Sequence, residues 1–175
     1  MLRSTGLKVS SKSKDTHLDL GSAASIRTPV GRVEIAAGSD GISSVHFVKE
    51  SGRRERVEDP RVVLRKAIRE LDEYFHGKRK RFRLELSPEG TAFQKKVWSQ
   101  LQRVPWGRTI SYQELAARTG NSKAARAVGS AVAKNPLCIL IPCHRVVKKG
   151  GGIGGFSQGV RVKEWLLRHE RKWSG

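Results

Sequence analysis

Two capping boxes mark where helices begin in the second half of the chain, and they constrain its fold more than any other local pattern. Thr91 with Gln94 forms the first box, and Ser111 with Glu114 forms the second. In each box the two side chains accept hydrogen bonds from each other's free backbone N–H groups, which starts a helix. Apolar residues follow the first box at helical spacing on one face: Phe93, Val97, Leu101 and Val104. We predict a helix of about three turns that ends at Pro105-Trp106-Gly107.

Short helices continue after the second box. We predict a helix over residues 111–118, a turn at Thr119-Gly120-Asn121, and a further helix that Ser122 caps and that ends near Lys134. Two helices joined by a short Gly-containing turn form a helix-turn-helix. A last helix is expected over residues 160–171, with these side chains facing inward: Val162, Trp165, Leu166 and His169.

Alternating apolar residues on either side of the Gly38-Ser39-Asp40-Gly41 turn predict a β-hairpin in the first half. The residues are Val30, Val33 and Ile35 before the turn and Ile42, Val45 and Phe47 after it. Helical spacing from Leu64 to Phe75, after Pro60, predicts a helix that ends near Gly77. Alternation over residues 82–86 predicts one more strand.

These patterns predict two units joined by a linker at Ser87-Pro88-Glu89-Gly90. The first is a small α/β domain over residues 26–88, with an antiparallel sheet and a helix. The second is a mainly helical domain over residues 89–175. Residues 1–25 are rich in Ser and Lys without periodicity, so we expect a flexible basic arm.

The net charge of +19 favours a polyanionic partner. Residues 91–175 hold 16 basic but only 3 acidic side chains, so the partner should bind the second half. No run approaches the roughly 20 apolar residues of a membrane span, and we expect no membrane partner. The two cysteines are too few for a disulfide framework or a thiolate-rich zinc site, and no secretory signal is recognised. We therefore expect an intracellular protein, cytoplasmic, or nuclear if the source is a eukaryote.

Cys143 and His144 stand side by side after a short apolar run at 137–141. A cysteine acts as a nucleophile in its thiolate form, which a nearby base or positive charge favours. For an arbitrary Cys-His pair, however, a buried structural cysteine with a satisfied histidine is the more common explanation. Cys138 lies inside the apolar run without a polar neighbour, and we interpret it as a core residue.

The second helix of the helix-turn-helix carries small residues where a major-groove reader carries Arg, Asn or Gln. Arg126 lies among Ala124, Ala125, Ala127 and Gly129. The backbone there could lie very close to a shallow surface while Arg126 reaches out alone. Tight packing in the core is the alternative, and both hold if one face packs and the other binds.

A series of motifs in the second half resembles the O6-alkylguanine-DNA alkyltransferases, also called methylated-DNA-protein-cysteine methyltransferases. The motifs are Pro-Trp-Gly at 105–107, Ser-Tyr-Gln-Glu-Leu-Ala at 111–116, Ala-Ala-Arg-Ala-Val-Gly at 124–129, Asn-Pro at 135–136, Ile-Pro-Cys-His-Arg-Val at 141–146, and a Gly-rich loop into Lys-Glu-Trp-Leu-Leu at 163–167. Each alone could arise by chance, but the ordered set is specific. The resemblance is strong over residues 91–175 and weak over 26–88. It implies an RNase H-like first domain and a winged-helix-like second domain.

The resemblance implies double-stranded DNA as the partner, bound through the minor groove by the second helix of the helix-turn-helix. Arg126 would occupy the place of an extruded nucleotide and offset the cost of unstacking it. Tyr112 would donate a proton to guanine N3 as negative charge develops on the leaving base. Further DNA contacts are implied for small and polar residues: Gln113, Ser122, Ala124, Ala125, Ala127 and Gly129. We expect a monomer, with cooperative binding along DNA as an alternative.

The resemblance also implies the reaction. Cys143 would attack the alkyl carbon on guanine O6, His144 would take the thiol proton through a water, and Glu170 would orient the imidazole. Asn135 would tie the recognition helix to the cysteine segment, with a simple helix C-cap as the alternative. A thioether is a poor leaving group, so the protein would be consumed in one turnover, and neither a metal nor a soluble cofactor is expected.

The base pocket implied by the resemblance lies after the cysteine. The carbonyls of Cys143 and Val146 and the amide of Ser157 would bind the flipped base, and Ile153, Phe156 and Gln158 complete the pocket. Phe156 stands where some relatives have Tyr. Gln158 stands where relatives tolerant of bulky adducts have Gly, so we expect a narrower mouth. Some relatives hold zinc in the first domain, and without a cysteine before Cys138 we expect none here.

Two other functions are compatible with parts of this pattern. A helix-turn-helix regulator or a non-repairing lesion sensor would explain the basic second half but gives Cys143 no role. A cysteine hydrolase would use Cys143 and His144 and would turn over, but it leaves the Ala-rich helix unexplained. O4 of thymine is a further substrate that the sequence does not separate from O6 of guanine.

Overall fold

The computed structural model describes residues 22–48 and 62–174. The first unit contains a three-stranded antiparallel sheet of β1 (Ser22–Thr28), β2 (Gly31–Gly38) and β3 (Gly41–Val48) in that order. The predicted hairpin is confirmed, since β2 and β3 pair up to Gly38 and Gly41. Val33 and Ile35 are buried on one face, as the alternation predicted.

The boundary predicted for the basic arm is wrong at its end. Residues 1–21 lie outside the described part of the chain, but residues 22–25 belong to β1, which pairs with β2 from Ser22 to Thr28. This strand begins with Ser-Ala-Ala-Ser, so its first half lacks the large apolar residues by which strands are recognised. Backbone pairing to β2, rather than side-chain pattern, makes it a strand.

Helix α1 (Val62–Phe75) packs on the sheet through an apolar stripe that includes Leu64, Ala67 and Leu71. The predicted helix is confirmed, and it ends two residues before Gly77. The expected loop at 50–59 and the Pro60 start lie outside the described residues.

The strand predicted at residues 82–86 is absent, because other groups take its hydrogen bonds. A single bridge joins Leu86 to Ile42 of β3. Arg83 N–H donates instead to the buried Glu70 carboxylate, at 2.8 Å. Farther along the same edge of β3, Val45 bonds Pro136 O and Cys138 N–H, at 2.8 and 3.0 Å. The edge is therefore shared with the segment that leads to Cys143.

The second unit contains four helices among the described residues: α2 (Ala92–Gln102), α3 (Tyr112–Arg118), α4 (Ala125–Ala133) and α5 (Val160–Lys172). Between them, the two-residue strands β4 (Ile110–Ser111) and β5 (Val146–Val147) pair in parallel. Both capping boxes are confirmed, with both reciprocal bonds present in each. The helix-turn-helix is formed by α3 and α4.

Two details of the helical predictions are wrong. Phe93 is 38% exposed, and Trp98 is buried on α2 instead, with its indole N–H donating to Ala131 O of α4 at 2.8 Å. Asn121, not Ser122, provides the cap after the turn, accepting from Lys123 N–H at the start of a 3-10 turn over Ser122–Ala124. An Asn at this position can adopt the capping geometry one residue earlier than expected.

The predicted last helix is confirmed as α5. Leu166 and His169 are buried and Val162 and Trp165 half-buried, but Lys163 and Glu170 are also buried on the same face. Among residues 22–48 and 62–174, no helix combines the length and the apolar character that crossing a membrane requires.

Candidate active site

A tight reversal of the chain places Cys143 in the interior. Ile141 N–H donates to Leu137 O at 2.8 Å, and Ile139 at the bend has φ +73°. A β-branched residue in this left-handed region is strained by about 1–3 kcal/mol, and such strain concentrates at functional sites. Cys143 then opens a buried 3-10 turn, Cys143–Arg145, that runs into β5.

Asn135 joins the end of α4 to this segment. Its side-chain amide donates to Ile141 O at 2.9 Å, and its side-chain oxygen accepts from Leu137 N–H at 3.0 Å. The buried Asn135 side chain also contributes to the lowered pKa of Cys143. Asn135 therefore holds both sides of the reversal together, which a simple helix C-cap does not do.

The thiol of Cys143 lies among groups that favour its thiolate. A hydrogen bond from Cys138 lowers the pKa of Cys143 below its usual value; burial opposes this, and Asn135 and the Lys163 charge add to it. The pKa of Cys138 is raised well above its usual value by the same hydrogen bond and by burial. Cys138 is buried, so its interpretation as a core residue is confirmed, and it also influences the acidity of Cys143.

His144 is completely buried and has one ring nitrogen held by Glu170. Nε2 lies 2.7 Å from Glu170 Oε1, while Nδ1 has no hydrogen-bond partner among the described residues. Burial lowers the pKa of His144, against the opposing effect of Glu170. A neutral ring with its proton on Nε2 leaves Nδ1 as a free acceptor, which is the state of a general base.

Glu170 receives hydrogen bonds from both units. Oε1 accepts from His144, from Arg145 Nη2 at 2.9 Å and from the Tyr74 hydroxyl at 3.0 Å. Oε2 accepts from Arg145 Nε at 2.9 Å and from Gly107 N–H at 3.1 Å. Burial raises the pKa of Glu170, but His144 and Arg145 outweigh it and hold this pKa well below its usual value. The carboxylate is therefore charged and fixed.

The Gly107 contact explains why glycine follows Pro-Trp at this bend. Gly107 has φ +70°, and a Cβ there would lie 2.0 Å from Ser174 Oγ at the end of α5. A side chain would thus separate the bend from α5 and remove the Gly107 amide from Glu170.

Lys163 is a buried cation beside the site. Its ammonium donates to Val146 O at 2.6 Å and to Gly155 O at 3.2 Å. Burial lowers the pKa of Lys163 to about 8, while Cys143 acts in the opposite direction. The Val146 carbonyl, expected to bind a base, therefore already accepts from Lys163, and one lone pair remains for a ligand.

Tyr112 lies between α4 and the Gly-rich loop that contains Gly154. Added Cβ atoms would lie 3.7 Å from its ring at Gly129 and 3.5 Å from its hydroxyl at Gly154, so both glycines lie within ordinary contact distance of Tyr112. Burial, and then the nearby Cys143, raise the pKa of Tyr112. The phenol therefore keeps its proton near neutral pH.

The expected DNA-contacting residues lie around the helix-turn-helix. Gln113, Ser122, Arg126 and Ala127 are exposed, while Ala124, Ala125 and Gly129 are half-buried. Val128, Ala131 and Val132 are buried on the opposite face of α4. One face of α4 therefore packs in the core, and the other is open to solvent.

The expected pocket residues after the Gly-rich loop are dispersed. Phe156 packs on the core and Ser157 is exposed. Gln158 Oε1 accepts from Phe47 N–H of β3 at 2.9 Å, which ties the loop to the first unit. Ile153 lines a shallow cavity beside Leu167 and Arg168 of α5.

Sequence reasoning missed four contributors to this site: Tyr74, Cys138, Arg145 and Lys163. One signal could have found Lys163, because Lys163 and Glu170 occupy positions i and i+7 on the apolar stripe of α5. Charged residues on a buried stripe must be paired. The other three depend on contacts that no local pattern indicates.

Known proteins resemble both units. Residues 23–88 match the ribonuclease-like domain and residues 92–172 the DNA binding domain of 6-O-methylguanine DNA methyltransferase. The methylated-DNA-protein-cysteine methyltransferase of Methanosarcina acetivorans is 42% identical over 147 residues, 82% of this chain and 94% of that protein. The constitutive one of Bacillus subtilis is 40% identical over 153 residues, 82% of this chain and 92% of that protein.

Solved structures agree with these matches. The Mycobacterium tuberculosis O6-methylguanine methyltransferase has a TM-score of 0.78 and 33% identity, over 89% of this chain and 96% of that one. The OGT of the same organism in complex with DNA has a TM-score of 0.78 and 34% identity, over 86% and 93%. The chain belongs to the 6-O-methylguanine DNA methyltransferase family.

Proposed function

We propose that this protein repairs DNA directly by transferring an alkyl group, most simply methyl, from guanine O6 to Cys143. The observation that carries the proposal is the buried Cys143 thiol of lowered pKa, next to a neutral His144 that Glu170 holds by Nε2. This combination supplies a soft nucleophile and a base without a metal or an organic cofactor.

The reaction balances with these groups alone. The Cys143 sulfur forms a bond to the alkyl carbon as the bond from that carbon to O6 breaks, and guanine leaves as an anion that finally receives the proton lost by the thiol. His144 Nδ1 takes the thiol proton through a water, and the Tyr112 phenol donates toward guanine N3 as negative charge grows there. The thioether product is stable, so each molecule reacts once.

The exposed face of α4 supports binding through the minor groove. Ala127 and half-buried Gly129 present little side chain, which allows close approach of the helix backbone, and Arg126 is free to enter the stack in place of the extruded nucleotide. We propose that residues 89–175 bind DNA and accept the alkyl group as a monomer, within the cell, while residues 22–88 support the acceptor.

The link between Gln158 and Phe47 supports a restricted pocket mouth. By fixing the loop that carries Phe156 and Ser157 to β3, it would limit room for adducts larger than methyl. We expect an O6-benzylguanine probe to label the protein more slowly than methylated DNA does. Equal labelling rates would contradict the restriction, and Gln158→Gly should widen tolerance.

The test is incubation with a duplex that contains O6-methylguanine, followed by peptide mass spectrometry. Because residues 135–145 form one tryptic peptide with both cysteines, fragment ions must separate Cys138 from Cys143. We expect one methyl group on Cys143, with none after incubation with unmodified duplex. Cys143→Ala, which retains Cys138, is the matched control and should stay unmethylated.

The same experiment separates the other functions. A lesion sensor or a regulator would bind the duplex and leave the peptide unmodified. A cysteine hydrolase would process more than one substrate equivalent per protein molecule. Extending the duplexes to O4-methylthymine would define the base preference.

A further inference from the structure

We propose that Tyr74, in the first unit, is a positioning residue for alkyl transfer. Its hydroxyl bonds the Glu170 carboxylate, so that His144 stays neutral and its free Nδ1 can act as a base. The inference rests on the proposed function and assigns part of the machinery to the N-terminal unit. Nothing in the helix-turn-helix domain alone provides this donor.

Hydrogen bonds hold Tyr74 at both its side-chain hydroxyl and its backbone carbonyl. It lies in the last turn of α1 and is completely buried. Its hydroxyl donates to Glu170 Oε1 at 3.0 Å, and its backbone carbonyl lies 2.8 Å from His169 Nε2 on α5. Trp106 packs edge-on against its ring, with centroids 5.1 Å apart. The hydroxyl therefore has one fixed direction, toward the carboxylate.

The oxygen that Tyr74 contacts is the same oxygen that holds His144. Glu170 Oε1 lies 2.7 Å from His144 Nε2 and also accepts from Arg145 Nη2. A donor on this oxygen withdraws electron density from it and reduces its ability to stabilise a protonated imidazole. Removing the Tyr74 hydroxyl should therefore strengthen the pairing of Glu170 with protonated His144 and raise the pKa of His144.

Other groups face His144, but none of them replaces the effect of the Tyr74 hydroxyl on the pKa of His144. Glu170 and Lys163 reach it from α5, and Arg145 from its own turn, and all three are charged. Tyr74 is the neutral donor from the opposite unit. Burial, and then Glu170, raise the pKa of Tyr74 well above its usual value, so it keeps its proton at neutral pH and remains a donor.

The test compares Tyr74→Phe with the parent protein by the pH dependence of single-turnover methyl transfer. Neutral His144 is the active form, so a higher pKa moves the acid limb of the profile to higher pH. We expect a shift of about one unit, which is about a tenfold loss of rate well below the midpoint, with unchanged affinity for the duplex. Phe82→Leu is the matched control, because Phe82 packs against the Tyr74 ring without contacting Glu170 and should leave the midpoint unchanged.

A second measurement does not depend on transfer. NMR titration of the His144 ring should show a higher pKa in Tyr74→Phe than in the parent protein, whether or not DNA is repaired. If Tyr74→Phe fails to fold, 3-fluorotyrosine placed at position 74 provides a stronger donor of nearly the same shape and should move the midpoint to lower pH. His144 titration and acid-limb midpoints that match the parent protein in these variants would overturn the assignment. Absence of methyl transfer by the parent protein would instead contradict the proposed function.

Discussion

Replacing Cys138 with alanine should make the acceptor thiol less acidic. The hydrogen bond from the Cys138 thiol is the largest cause of the lowered pKa of Cys143, and burial works against it. Removing a hydrogen bond to a thiolate, at about 1–1.5 kcal/mol, raises the pKa by about one unit. The thiolate fraction of Cys143 well below its pKa should then fall about tenfold. Loss of one buried sulfur should destabilise the fold by only about 1 kcal/mol.

The assay is the rate of Cys143 carbamidomethylation by iodoacetamide from pH 5 to pH 10, followed on the 135–145 peptide. Cys138→Ala should react more slowly than the parent protein at low pH, and the two rates should converge above both pKa values. Cys138→Ser is the matched control, because its hydroxyl can still donate and should recover part of the difference. A constant ratio of rates at every pH would refute the reasoning, since it would indicate altered access to the thiol rather than altered acidity.

Three further predictions address the carboxylate, the bend and the recognition helix. Burial raises the pKa of Glu170 but its partners His144 and Arg145 lower it below the usual value, so its stabilisation is present above about pH 4 and is lost as pH falls through the folded pKa. Glu170→Gln leaves a buried guanidinium uncompensated and should lower the free energy of unfolding by about 3–5 kcal/mol at pH 7 in urea titrations, with a smaller difference below pH 4. Gly107→Ala should destabilise more than Gly150→Ala, because both have positive φ but only Gly107 faces a nearby atom, Ser174 Oγ; equal midpoints of thermal unfolding would contradict this. Arg126→Ala should slow methyl transfer from duplex DNA, leave iodoacetamide labelling of Cys143 unchanged and preserve the melting temperature, because the side chain is exposed; a parallel loss in labelling would show that it acts on the thiol instead.

The parts of the fold that sequence predicted are those set by neighbouring residues. Both capping boxes connect residues three apart, and the Gly38 to Gly41 hairpin brings adjacent strands together, so local pattern was sufficient for them. The strand expected at 82–86 did not form, because the parallel bridge from Leu86 to Ile42 leaves the residues before Leu86 beyond the start of β3 at Gly41. Alternation within 82–86 does not show where along β3 this segment pairs.

The residues of the candidate site likewise fall into those that local motifs predicted and those that they did not. Cys143, His144 and Tyr112 were named from motifs, and the structure brings the three close together. Glu170 and Asn135, which act on their acidity, were also named in advance. Tyr74 in the first unit and Cys138 in the apolar run were not, because they look like ordinary core residues. Their importance comes from which atoms they contact across long stretches of chain.

The acidities of Cys143 and His144 therefore depend on both units, through two separate attachments. Val45 O of β3 accepts from Cys138 N–H and so fixes the residue that contributes most to the lowered pKa of Cys143. At the end of α1, Tyr74 bonds the carboxylate that holds His144. One attachment acts on the thiol and the other on its base, so they would change the pH profile of transfer in different ways. The first unit can for this reason determine how readily Cys143 reacts.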